Sequence, residues 1–295
     1  MKKDRPVHQH LAALTGIRFL LALWVILHHL TGPGQSLEPA ARSLPYALYA
    51  LIRGGYLAVT TFFVLSGFVL ARSYASTNWD AKGLWRYTVG RFARVYPVYL
   101  LSLGLVAPFI VADRAPAKLP LLAEHGFLVQ GWFGAIPVNW NTPAWSLSCE
   151  MFFYAAFPLA AFIFRRATWR KTIALAVVAC CLTRALWAAG VPDGIKPLIH
   201  LADFLMGIAA ACAYDLAKRD ALPSSYGPYL YLPATALSIL FIAYPAVLPH
   251  SVDLNTALRP LNAILLVGFA LGGGLLARVL SSRAAVYLGK SSYAM

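Results

Sequence analysis

Three stretches of the chain set side chains able to do chemistry among residues suited to lipid. In GIRFLLALWVILHHL, Gly16–Leu30, an arginine, Arg18, stands near the start and two histidines, His28 and His29, close the run. An imidazole, with an unperturbed pKa of about 6.5, can take up and return a proton near neutral pH. In WNTPAWSLSCEMFFYAAFPL, Trp140–Leu159, the one acidic residue is Glu150; a carboxylate and an imidazole make a candidate acid–base pair. In LWRYTVGRFARVYPVYLL, Leu84–Leu101, Arg91 and Arg94 are three residues apart and so neighbours on one helical face. Two guanidiniums on one face suit a phosphate, which arginine can bind through paired N–H donors.

Spacing says how a helix would present these groups. Arg18 and His29 are eleven residues apart, which at 100° per residue brings them within about 20° of alignment and about 16 Å apart along the axis. Thr142 and Pro143 suit an N-cap and a first helical residue, so Glu150 falls about 10 Å into the next apolar helix. Ser146 and Tyr154, four residues to either side of Glu150, share its face and are candidates to orient it. Each group also has a structural alternative. Arg18 and His29 fit buried polar residues satisfied by neighbours, His28 an interfacial residue, Glu150 a structural hydrogen bond or a buried ion pair with Arg184 or Arg53, and Arg91 and Arg94 ordinary contacts with lipid headgroups. Ionisable residues inside membrane segments are costly and are functional by default. Gly54, Gly55, Ser66 and Gly67 are small enough to let helices approach closely, with Ser66 also a candidate to line a channel.

The elements that must position these residues follow from composition. Of 295 residues, 60% are hydrophobic and 12% charged, against about 45–50% and about 25% in soluble domains. The chain reads as all-α: a polytopic transmembrane bundle. About 20 apolar residues are needed to cross the hydrocarbon as a helix, and on that measure spans are expected near 12–31, 46–71, 95–112, 143–164, 172–190, 197–214, 229–248 and 259–280, with the start of a ninth near Ala284. The first span, with Arg18 inside it and no small-residue cleavage site before Pro33, reads as retained rather than as a signal peptide.

Orientation comes from the basic residues. With the N-terminus in the cytoplasm, the inner segments hold Lys2, Lys3, Arg5, Arg72, Lys82, Arg86, Arg91, Arg94, Arg165, Arg166, Arg170, Lys171, Lys218, Arg219, Arg278, Arg283 and Lys290. The outer segments keep only Arg42, Arg114, Lys118, Lys196 and Arg259, so the positive-inside rule favours N-in. The net charge of +14 is scattered in short clusters between apolar runs and is not a nucleic-acid-binding face. The longest loop, roughly Asp113–Thr142, mixes prolines, glycines and aromatics and reads as a folded re-entrant or lid segment. Cys149, Cys180, Cys181 and Cys212 sit in apolar runs without metal-ligand spacing and read as packing residues.

Taken together, the motifs resemble the acyltransferase 3 family of bacterial integral-membrane O-acyltransferases. Arg18 and, after ten intervening residues, His29 fit that family's first-span pattern, which selects His29 over His28; FFVLSGF at Phe62–Phe68 resembles its second span. Arg91 and Arg94 match an R-x-x-R motif before the third span, and Trp145–Leu159 resembles W-S-L-x-x-E-x-x-F-Y-x-x-x-P-L. FLMGIAAA at Phe204–Ala211 and the terminal LGKSSYAM are also similar. The resemblance covers most of the chain and implies one transmembrane acyltransferase domain over 1–295, C-terminally incomplete, since family members have about ten spans of ~20 residues each. It implies a cytoplasmic acyl-CoA donor, with acetyl-CoA the first expectation, no metal, a carbohydrate or small-molecule hydroxyl as acceptor, and a place in the bacterial cytoplasmic membrane. In that scheme His29 is the base, Glu150 orients it, Arg91 and Arg94 hold the donor's phosphates, and Arg18 lines the donor passage. A transporter of a small or acylated solute, working without chemistry, is the competing class. An inactive relative that only binds partners is the third.

Overall fold

The structure is a computed structural model that describes residues 11–112, 118–133, 141–164, 166–192 and 194–292. Lys2, Lys3, Arg5, Arg114, Arg165, part of the long outer loop and the last residues of LGKSSYAM lie outside the described residues. The helices run in order α1 (Ala12–Leu30), α2 (Glu38–Arg42), α3 (Tyr46–Arg53), α4 (Ala58–Ser73), α5 (Ala81–Ala112), α6 (Lys118–Gly126), α7 (Trp145–Phe164), α8 (Trp169–Ala188), α9 (Lys196–Arg219), α10 (Gly227–Ala243), α11 (Leu254–Leu271), α12 (Gly274–Leu280) and α13 (Arg283–Ser291). Among the described residues there is no strand. Among the described residues eight helical segments are long and apolar enough to cross a membrane, the second made of α3 and α4 joined by a 3-10 turn at Gly54–Leu57.

Several boundaries differ from those expected: α9 runs on to Arg219 rather than 214, α10 stops at Ala243 rather than 248, and three others have a plain cause. α5 starts at Ala81 rather than near 95 and runs unbroken through Arg86, Arg91 and Arg94; the charges that mark an interface to a hydropathy window do not interrupt a helix. α11 starts at Leu254, where the Asp253 side chain accepts from Thr256 N–H, so Arg259 lies inside a helix and not in an outer loop. The same helix stops at Leu271 rather than near 280, because Gly272, Gly273 and Gly274 all take positive φ, a conformation nearly reserved for glycine. Past the short α12, the expected ninth span is the nine-residue helix α13 within the described residues, capped by the Ser282 side chain at Ala285 N–H.

The chain packs as two units. The first takes in the chain up to Ala71, Ala167–Cys180 and the chain from Asp203 onward. Its buried cluster joins Leu14, Leu21, Val64, Leu65 and Phe68 to Met206, Tyr214, Leu266 and Phe269. Small residues set its closest approaches, as the sequence led one to expect for Gly54, Gly55 and Gly67. A Cβ on Gly67 would sit 2.1 Å from the Phe204 carbonyl oxygen, and one on Gly207 would sit 2.0 Å from that of Val64. α4 and α9 therefore touch backbone to backbone, the packing that stands in for the hydrophobic effect inside lipid. Gly16 and Gly289 bring α13 and the end of α12 onto the start of α1 in the same way.

This unit also buries an ion pair the sequence did not single out. Arg259 Nε donates to Asp203 Oδ1 at 2.6 Å, with the two side chains 1% and 0% exposed, and Arg259 Nη1 donates to the Ala179 carbonyl at 3.0 Å. Three helices, α8, α9 and α11, meet at that guanidinium.

The second unit comprises Arg72–Arg166 and Cys181–Ala202. In it α5 and α7 pack through an aromatic group: the Tyr87 and Phe157 rings stack at 5.8 Å, and Tyr74 stands edge-on to Tyr87 at 4.9 Å. The described part of the long loop is folded onto these helices. Tyr99 Oη donates to the His125 carbonyl at 2.7 Å, Gln130 Nε2 to that of Ala144 at 2.9 Å, and Gly131 N–H to Ser148 Oγ at 3.2 Å.

Candidate functional site

In the first unit α1 carries Arg18 and His29. The helix buries Ala13, Leu14, Gly16, Ile17, Leu21 and Ala22, and Arg18 and His29 lie together roughly 100° around the axis from the middle of that face. The Arg18 guanidinium lies over the Phe62 ring, 5.8 Å from its centre. His28 and His29 part company at the end of the helix. His28, half-buried, faces Arg53: its Nδ1 is 2.6 Å from the Arg53 carbonyl oxygen, and Arg53 Nη1 donates back to the His28 carbonyl at 2.7 Å. Arg53, one of the two candidates for an ion pair with Glu150, is thus held at the end of α1. His29 is exposed and meets the His28 ring edge-on at 5.3 Å. Among the described residues its ring nitrogens make no hydrogen bond.

In the second unit α7 carries Glu150, and the structure decides between its two helical neighbours. Ser146 Oγ donates back to the Pro143 carbonyl, three residues earlier, at 3.0 Å. Tyr154 Oη donates to Glu150 Oε2 at 2.9 Å. One turn further on, Pro158 has no N–H to offer the Tyr154 carbonyl four residues back. Tyr87 on α5 fills that place, its Oη donating to the Tyr154 carbonyl at 2.9 Å.

Arg91 and Arg94 lie on the same stretch of α5. The Arg91 guanidinium sits over two rings, 5.3 Å from the centre of Tyr74 and 5.8 Å from that of Tyr154, a favourable cation–π arrangement. Its Nε is buried without a hydrogen-bond partner among the described residues. Arg94, more exposed, lies within electrostatic reach of the Tyr154 hydroxyl together with Arg91. Glu150, Tyr154, Arg91 and Arg94 therefore form one polar cluster within the second unit, a grouping that spacing along the chain did not reveal. Arg91 is ten residues into α5, about 15 Å along its axis. No group of three or more His, Cys, Asp or Glu side chains placed to hold a metal ion occurs among the described residues.

A family model described as an acyltransferase domain matches residues 11–295. Acyltransferase MdmB of Streptomyces mycarofaciens is 33% identical over 227 residues, 68% of this chain and 57% of that protein. Protein 2 in the picA locus of Rhizobium radiobacter is 35% identical over 101 residues, 33% of this chain and 44% of that one. A Staphylococcus aureus (strain COL) protein with a provisional O-acetyltransferase name is 25% identical over 166 residues, 51% of this chain and 24% of that one. The chain thus spans little more than half the length of the first of these relatives and less of the other two. No solved structure matches.

Proposed function

The chain belongs to the acyltransferase 3 family, and from that membership we propose that it is a membrane O-acyltransferase that moves an acyl group, acetyl in the simplest case, from cytoplasmic acyl-CoA to a hydroxyl of a carbohydrate or small-molecule acceptor. The observation that carries the proposal is the cluster of Glu150, Tyr154, Arg91 and Arg94 on two apolar helices, since ionisable groups within apolar membrane segments point to a functional site by default.

In this scheme His29 takes the proton of the acceptor hydroxyl as its oxygen attacks the thioester carbonyl carbon. The C–S bond breaks, the departing thiolate receives that proton, and the products are an ester and free CoA thiol. The unbonded imidazole of His29 supports the role, while His28 is engaged at the Arg53 carbonyl. Glu150, at the acidic position of the W-S-L-x-x-E motif, is the second catalytic residue of the scheme. Arg91, with a buried donor to spare, and Arg94 bind the donor's phosphates, and Arg18 lines the donor's passage. The N-terminus faces the cytoplasm of a bacterium, and the bundle sits in its inner membrane.

The test is acyl transfer from radiolabelled acetyl-CoA in membranes containing the protein. His29→Ala is expected to lower the rate by about 10²- to 10⁴-fold, the usual worth of a general base. Wild-type transfer by His29→Ala at normal expression would overturn the assignment.

A further inference from the structure

Glu150, Tyr154 and Pro158 are spaced four residues apart on α7, and the structure gives each interval a purpose. The first places a phenol one turn below the carboxylate, where its Oη donates to Oε2 at 2.9 Å. The second takes the i+4 donor away from the Tyr154 carbonyl and opens it to Tyr87 Oη, also at 2.9 Å. Tyr87 is itself buried and wedged between the rings of Tyr74 and Phe157. Tyr154 is therefore fixed at both ends. Its backbone is tied to α5, its ring lies beside the Arg91 guanidinium, and its hydroxyl reaches one oxygen of Glu150.

We propose that Tyr154 is the positioning residue of the transfer reaction: it holds the Glu150 carboxylate in one rotamer and ties it to the arginine-bearing helix α5, so that the donor's anchor and the carboxylate keep a fixed register. This rests on the catalytic role proposed above for Glu150. The tyrosine hydroxyl carries the effect, because phenylalanine would keep the ring, its packing and the Arg91 contact. A hydrogen bond to a charged acceptor that is lost inside a protein costs enough to slow a reaction about 10- to 100-fold when the bond orients the reacting group.

The experiment is a double-mutant cycle in membranes, with radiolabelled acetyl-CoA as donor, on Tyr154→Phe, Glu150→Gln and the pair. Tyr154→Phe is expected to lower kcat about 10- to 100-fold while KM for acetyl-CoA stays within about twofold. In the Glu150→Gln background the same change should have no further effect, which a merely structural tyrosine would not produce. Thermal unfolding of the four purified proteins gives a second cycle that reads the Oη–Oε2 bond independently of turnover. Additive losses in both cycles, or wild-type kcat for Tyr154→Phe where Glu150→Gln is inactive, would overturn the proposal. Full activity of Glu150→Gln would instead remove the catalytic role of Glu150, and with it the function of its positioning residue.

Discussion

The buried pair Asp203–Arg259 offers the sharpest stability prediction. The two side chains are 0% and 1% exposed and meet at 2.6 Å, and the guanidinium has a further acceptor in the Ala179 carbonyl at 3.0 Å. Removing one member leaves the other's buried charge without its 2.6 Å partner, and breaking a buried pair typically costs about 3–5 kcal/mol. Asp203→Asn keeps the shape and deletes the charge; Arg259→Met keeps most of the stem and deletes the guanidinium. At about 2 °C of Tm per kcal/mol for a chain of this size, each single variant should melt about 6–10 °C lower. The cost belongs to the orphaned charge, not to the loss of the attraction alone, because burying two ions also carries a desolvation penalty. A double replacement, Asp203→Leu with Arg259→Met, should therefore recover much of the loss. The assay is thermal unfolding of detergent-purified protein followed by tryptophan fluorescence. Single variants within about 2 °C of wild type, or a double variant at the sum of the two losses, would refute the reasoning.

Other outcomes follow from the same structure. Arg91→Ala with Arg94→Ala should raise KM for acetyl-CoA about tenfold or more through lost charge-assisted contacts; an unchanged KM would return the pair to the lipid headgroups. Tyr87→Phe leaves the Tyr154 carbonyl without its outside donor and should cost about 1–3 kcal/mol of stability, seen as a lower Tm. In the loop after α1, the Gly34 N–H, at 2.5 Å, and then Arg42 hold the Glu38 carboxyl below the ordinary carboxylate range. A depressed carboxyl stabilises fully above its unfolded pKa and loses that contribution as pH falls through the lower folded value. Glu38→Gln should accordingly speed amide exchange at Gly34 at neutral pH, and the difference from wild type should vanish below the folded value.

Hydrophobicity reports where lipid-crossing segments lie, and the eight apolar runs were legible for that reason. It reports their ends poorly when charge continues a helix, as Lys82, Arg86, Arg91 and Arg94 do in α5, or when backbone conformation stops one, as Gly272–Gly274 do after α11. Pairings across distant helices left no trace in spacing. Asp203 and Arg259 are 56 residues apart, and Arg259, beside a proline and at the edge of an apolar run, read as a loop residue. At Glu150 the i±4 rule treated Ser146 and Tyr154 alike. Only the carbonyl of Pro143, which captures Ser146 Oγ, makes Tyr154 the partner. The proline of the W-S-L-x-x-E motif likewise had no evident purpose until Tyr87 was found on the carbonyl it frees.

The central claim, acyl transfer to a hydroxyl, is tested most directly by incubating membranes with radiolabelled acetyl-CoA and separating the labelled products. The account predicts protein-dependent release of CoA thiol matched by label in an ester that mild alkali cleaves, with both signals lowered about 10²-fold or more in His29→Ala and Glu150→Gln. Label that stays on CoA in the presence of the wild-type protein, or ester formed equally by the two variants, would contradict it.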